Sequence, residues 1–398
     1  MKLTDNTYKY LFPIILFVVL SILVYTANNL SISYKEALNV FVNNSLLTIL
    51  TNSTLYIFGQ NDIALRLPFI IFYILSVVLM YKITENFFKK ESDRLISISI
   101  FMILPGLLSA SILVNSAIVV TFFTLLYIYY YKSVKKHSYI LLVLFLFIDN
   151  SFAIFFLSLF FYSLSKKDNK LLIVSLILFG LSMGIYGFDT GGKPRGFLVD
   201  TFAIYASIFS PLLFIYFFYS IYRSGIKKDR TLVWYIATTS LFISLLFSFR
   251  QRIYIEDYAP FVVIFLPYMV KIYFHTIRVR LPQFRYRHYN TASLVIFVLF
   301  INVILTIVNK PLYLILENPK KHFAYKYNFV KELSTKLKLN EINEVNSEDE
   351  ELILRLKFYG IDEGNKYYIT TKEQYFYDLK LPISYYGKII QTTYIIKN

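Results

Sequence analysis

The sequence predicts an all-α polytopic membrane protein of about eleven transmembrane helices, followed by a small C-terminal α/β soluble domain. Three observations carry that expectation. Of the 398 residues, 57% are hydrophobic and only 17% charged, whereas a soluble domain is nearer half apolar and a quarter charged. The apolar excess gathers in charge-free blocks of about 15 to 24 residues, the length that crosses ~30 Å of hydrocarbon. Between these blocks fall six short basic clusters, as in loops that stay on the cytoplasmic side.

The first span is expected at about 11–27, behind Lys2 and Lys9. It resembles a signal peptide, but it lacks a small-residue cleavage site and more spans follow, so it reads as a retained helix. The stretch 44–59 is interrupted by Thr48, Thr51, Asn52, Ser53 and Thr54 and reads as a helix lying at the outer interface. Spans at about 66–85, 95–113 and 115–131 follow. Two short ones come next, at about 138–148 and 151–165. Residues 138–165 give ~42 Å of helix at 1.5 Å per residue, long for one crossing and short for two. A helical hairpin with Asp149-Asn150 at its tip fits the basic flanks, and a re-entrant loop is the alternative. The remaining spans lie at about 171–187, 199–222, 232–250, 258–275 and 291–309. If every basic cluster is cytoplasmic, an even number of crossings must separate consecutive clusters. Eleven spans satisfy this, with the N-terminus cytoplasmic and the C-terminus outside.

From about Lys310 the character changes, so a transmembrane domain is expected over 1–309 and an extracytoplasmic α/β domain over 310–398. Phe329 to Leu339 and Glu348 to Phe358 read as amphipathic helices. Tyr367 to Thr371 and Ile389 to Ile396, rich in β-branched and aromatic residues, read as strands.

Several function classes drop out. With no cysteine, neither a disulfide framework nor a thiolate metal site can form. The net charge of +16 sits in loops between apolar blocks, which points to membrane topology and not to nucleic acid. There is no phosphate-binding or dinucleotide glycine loop, no zinc-protease motif and no nucleophile elbow. The four histidines are not paired at ligand spacing, so no protein metal site is expected.

Charge on the expected outer side is informative because outer loops are ordinarily poor in Lys and Arg. Lys35, Glu36, Arg66, Asn115, Asp149, Asp189, Lys193, Arg195, Asp200, Arg250, Arg252, Glu256 and Asp257 all fall there. Arg250 and Arg252 end a span in Phe249-Arg-Gln-Arg-Ile-Tyr254-Ile-Glu-Asp-Tyr258-Ala-Pro260. Two guanidinium forks near an interface can hold a lipid phosphate, and pairing with Glu256 and Asp257 or snorkelling is the alternative. Glu36 could serve as a general base if its surroundings tune it; otherwise it pairs with Lys35. Asp149 is either a polar hairpin tip or the cap of the next helix.

The stretch Tyr56-Ile-Phe-Gly59-Gln-Asn-Asp-Ile-Ala-Leu65-Arg-Leu-Pro68 resembles a signature of GT-C-type membrane glycosyltransferases of family 39, such as protein O-mannosyltransferases and the lipid A aminoarabinose transferase. An acidic motif after the first span, a polar position after the third, a short hairpin and the segment Arg252 to Pro260 extend the likeness over most of residues 10–275. The resemblance implies transfer of a sugar from a polyprenyl-phosphate donor to a lipid, glycan or protein acceptor at the outer face of a bacterial inner membrane, with a periplasmic C-terminal domain. It implies Glu36 as the catalytic base and Arg250, Arg252 and Tyr254 at the donor phosphate. Lys35, Arg66, Asn115, Asp149 and Tyr258 would line the substrate cavity. The resemblance fixes no cofactor and allows a divalent cation. The chain departs from the family pattern at Lys35-Glu36, where Asp-Glu is usual, and at Asn115-Ser116, where a second acid is common. It departs again at Asp149, where relatives often carry lysine, and in its short first outer loop. A non-catalytic relative, or a transporter or flippase of a lipid-linked saccharide, is the alternative. Spans nearly free of central charge speak against ion-coupled transport.

Overall fold

The computed structural model describes residues 5–187, 196–227 and 229–397, so Lys2, Asp189, Lys193, Arg195 and Lys228 lie outside the described residues. The chain is mostly helical, with one four-stranded sheet near its C-terminus. Among the described residues six helices are long and apolar enough to cross a membrane: Thr7–Asn29, Asp62–Ile83, Ala117–Val134, Asn169–Tyr186, Ala259–Val279 and Pro282–Ile307. Two bent pairs raise the number to eight if each is one span. This is a multi-pass membrane protein.

The expected count of about eleven is not reached by length and composition, for identifiable reasons. The hairpin arms are the helices Tyr139–Phe145 and Phe152–Lys166, 7 and 15 residues long, and the helix Leu232–Ser248 has 17 residues. The block expected as one helix over 199–222 breaks into Leu198–Phe209 and Pro211–Ile226, bent by 101°. Ser210 sits at φ +80 and Pro211 has no N–H to continue the ladder, so the chain turns a corner there. A gentler bend of 52° separates Glu91–Met102 from Pro105–Ile112, again at a proline.

By its contacts the chain divides into two units. The first comprises Met1–Leu20, Phe69–Ser111 and Asn115–Val303. Two of its helices start on polar caps of this kind: Asp168 accepts the N–H of Leu171 at 3.1 Å and Thr231 that of Trp234 at 3.3 Å. Aromatic packing fixes the hairpin. Phe145 stacks on Phe152 with centroids 4.5 Å apart, and Phe155 stacks on Phe261 at 6.1 Å. Ser240 Oγ donates to the Tyr258 carbonyl at 2.9 Å. These contacts hold the turn 146–151 beside the segment that precedes the short helix Ala259–Val263. The helix Pro282–Ile307 buries only Leu299 and Val303, as a helix facing lipid would.

The second unit comprises Ser21–Pro68, Ile112–Val114 and Ile304–Asn398. The amphipathic helices expected in the tail appear as Val330–Leu339 and Glu350–Phe358. The sheet has order β1-β2-β4-β3, with β1 Glu344–Asn346, β2 Asp362–Thr370, β3 Leu379–Tyr385 and β4 Lys388–Lys397. Strands β2 and β4 match the sequence expectation, and β1 and β3 add to it. Strand β1 runs parallel to β2, and the other two pairs are antiparallel. Tyr386 and Gly387, at φ +51 and +82, make the tight turn between β3 and β4. Leu381 and Ile383 of β3 pack with Val330, Leu333, Leu356 and Ile395 to form the core.

Candidate active site

Each unit contains a cluster of acidic side chains, fully buried in the second unit and half-buried in the first. In the second unit the cluster centres on Glu36, only 2% exposed. Ser33 and Glu36 form a capping box on the helix Tyr34–Phe41. Glu36 Oε2 accepts the Ser33 N–H at 2.8 Å, the Ser33 hydroxyl at 3.0 Å and Arg66 Nη2 at 3.4 Å. Its Oε1 accepts the Val114 N–H at 3.2 Å. Arg66 is fully buried and also donates to the carbonyls of Ala27 at 2.7 Å, Leu30 at 2.9 Å and Ser31 at 3.1 Å.

Asp62 completes this network, 3.7 Å from Arg66 Nη1 and 2.7 Å from Lys331 Nζ. The Tyr359 hydroxyl donates to Asp62 Oδ1 at 2.7 Å and accepts the Ile32 N–H at 2.9 Å. Arg355 Nε donates to the Ile32 carbonyl at 2.8 Å. Burial and the hydrogen bond to Asp62 push the Tyr359 hydroxyl far above the ordinary tyrosine value, so it remains a donor. The pattern is that of a structural anchor: every charge faces an opposite charge or several dipoles. The base expected at Glu36 is thus held by four donors. Lys35, next to it, is exposed. Asn115, placed in the first unit, uses its Oδ1 to accept the Ala117 N–H at 3.1 Å, a local helix-start contact.

The first unit's cluster is of the opposite kind. Asp149, at the hairpin tip, accepts the Ser151 N–H at 2.9 Å, and its Oδ1 also meets the Ser151 hydroxyl. The same hydroxyl lies 3.3 Å from Asp257 Oδ1. A serine has one proton to give, so Asp149 and Asp257 compete for the same Ser151 hydroxyl. Burial and then the neighbouring charge of Asp149 push Asp257 up to about 7. Glu256 adds to the rise, and the Ser151 hydrogen bond opposes it. A carboxyl next to a second acid holds its proton more tightly.

Ser151 and Asp257 border a cavity of about 290 Å³ that lies wholly within the first unit, and Asp149, expected in the cavity, reaches it only through Ser151. Ser151, Gln251, Arg252, Tyr254, Asp257 and Tyr258 line its polar part, and Ile154, Phe179, Met183 and Phe247 its apolar part. Of the residues expected at the donor phosphate, Arg252 and Tyr254 reach this cavity, and both are exposed. Arg250 is exposed at the end of the helix Leu232–Ser248. Neither arginine has an ion-pair partner among the described residues. They do not pair with Glu256 and Asp257, the alternative their spacing suggested. Sequence reasoning placed Asp257 among the outer charges but gave it only the role of an ion-pair partner for the arginines. The signal was the second acid in Glu256-Asp257-Tyr258, which gains meaning only beside the hairpin tip.

Residues 46–148 match the family model described as dolichyl-phosphate-mannose-protein mannosyltransferase. The match takes in the Phe58-Gly59 and Arg66-Leu67-Pro68 signature and the first arm of the hairpin. It supports a membrane glycosyltransferase of the GT-C type. No curated protein matches the chain.

Proposed function

We propose that the chain transfers a sugar from a polyprenyl-phosphate donor to an acceptor hydroxyl, with Asp257 as the general base. In this reading the acceptor oxygen loses its proton to the Asp257 carboxylate and bonds to the anomeric carbon. The bond from that carbon to the phosphate oxygen breaks, and polyprenyl phosphate leaves with the electron pair. Arg252, with Arg250 and Tyr254 beside it, compensates the charge that grows on the leaving phosphate. Asp149 adds to the effect of burial in raising the proton affinity of Asp257, and Tyr258 walls the cavity. Glu36 and Arg66, first read as base and cavity residue, serve here as the anchor of the second unit.

The observation that carries the proposal is the Asp149–Ser151–Asp257 contact at a cavity that Arg252 also lines. A base works best with a proton affinity near the operating pH, and Asp257, at about 7, meets that demand. The kinship supported by residues 46–148 supplies the reaction class. The purified chain, incubated with polyprenyl-phosphate sugars and membrane extract, should form a new glycosidic product that Asp257→Asn abolishes. Loss of transfer in a well-folded Glu36→Gln protein, with transfer intact in Asp257→Asn, would return the base role to Glu36. A carrier that crosses reconstituted vesicles with no new glycosidic bond would favour the flippase.

A further inference from the structure

We propose that the first unit holds a binding site for one anionic glycerophospholipid, separate from the Asp149–Asp257 cavity and independent of the transferase reading. Two cavities that share no residue with that site carry it. One is a chamber of about 420 Å³ among the helices Glu91–Met102, Pro211–Ile226, Leu266–Val279 and Pro282–Ile307. Its walls are apolar, with Ile96, Ile100, Val270, Ala292, Val295 and Ile296 among them. Arg280 and His288 stand at its edge. The other is a vestibule of about 470 Å³ lined by Arg223, Lys227, His275 and Arg280. Tyr219, Thr276 and Arg280 belong to both, so the chamber opens into the vestibule. Among the described residues no carboxylate lines either one.

An apolar chamber leading into a basic mouth is complementary to an amphiphile with an anionic head. At ~30 Å³ for each water-sized group, the chamber has room for about fourteen such groups, close to one acyl chain. Water fills such a space poorly because the walls offer it few partners. Arg223 is already oriented at the junction: its Nη1 donates to the Tyr219 hydroxyl at 2.9 Å and to Thr276 Oγ1 at 2.6 Å. The exposed Arg280 guanidinium has no acceptor among the described residues. A phosphodiester suits two such forks. The vestibule is larger than one phosphate needs, and its Tyr219 and Tyr222 hydroxyls suit the glycerol of a headgroup. Because Pro282–Ile307 buries so little of itself, the chamber has one wall on the lipid side, where a membrane lipid can enter.

Native mass spectrometry of the full chain in detergent with phosphatidylglycerol tests this. Wild type should retain one lipid per chain, and phosphatidylcholine should be held far more weakly. Arg223→Gln with Arg280→Gln should weaken retention about thirtyfold, the effect of two basic contacts near an anionic lipid. Arg280→Gln alone removes an exposed side chain, keeps the fold and should give part of that loss. Ala292→Trp fills the chamber without touching a basic residue and should also release the lipid. Equal retention by wild type and all three variants would overturn the site. So would displacement by millimolar inorganic phosphate, or tighter retention of a polyprenyl monophosphate than of phosphatidylglycerol.

Discussion

The two units surround their acidic side chains in opposite ways. In the second unit Glu36 faces Arg66 and three further donors, and Asp62 faces Arg66, Lys331 and Tyr359. In the first, Asp257 faces another acid through a shared serine, and no cation pairs with it among the described residues. A carboxylate whose surroundings neutralise it holds a fold together, and one that is left frustrated can accept a proton. Compensation, not the presence of an acid near the membrane surface, separates a structural carboxylate from a chemical one.

The largest expected effect tests the frustrated side. Asp257→Asn should lower transfer by roughly 10²–10⁴-fold, the usual contribution of a positioned base, with little change in thermal unfolding. A folded variant with undiminished transfer would break the contrast from that end. On the compensated side, Arg66→Met should cost about 3–5 kcal/mol, because it leaves buried Glu36 without its cation. Thermal unfolding in detergent reads this, and a loss well below 1 kcal/mol would show that the anchor is not structural.

The pH profile sharpens the comparison further. If Asp257 must be ionised to act, the rate of transfer should rise with pH and level off above about 7. The same group has a stability signature of known sign. Its value in the fold lies above its ordinary 3.8, so its contribution is complete below 3.8 and is lost as pH rises to about 7. Asp257→Asn should remove that component. His322 gives the reverse and smallest effect. Buried in the second unit, it accepts the Ala324 N–H at Nδ1 and meets the Asn309 carbonyl through Nε2, both at 3.0 Å. Burial lowers its proton affinity below the ordinary 6.5. The unfolded chain therefore takes up the proton first, and stability should fall as pH drops below 6.5, by at most ~1.4 kcal/mol per pH unit. A flat unfolding temperature over that range would remove His322 from the balance.

Much of the helical layout could be read from apolar block length, because lipid demands it of any crossing segment. The corner at Ser210-Pro211 could not, since the apolar run continues through it while the backbone turns. In the tail, β2 and β4 showed in their β-branched and aromatic runs. Strand β3 was hidden by Pro382, although Leu381, Ile383 and Tyr385 alternate inward. At the candidate site, Arg252, Asp149 and Tyr258 stood out as charge or a motif next to a span. Asp257 and Ser151 did not, because they are 106 residues apart and their chemistry arises from meeting. Glu36 was legible as an acid but not as a capped and paired one, since Arg66 and the Val114 N–H reach it only in the folded chain.

The bonds from Tyr359 and Arg355 to Ile32, and from Lys331 to Asp62, carry a consequence for biosynthesis. The ribosome delivers residues 31–66 well before their partners Lys331, Arg355 and Tyr359. Until then Asp62 and the Ile32 peptide groups must be satisfied by water or by a chaperone. Nascent chains halted before Lys331 should therefore be far more open to protease near Ile32 than completed ones.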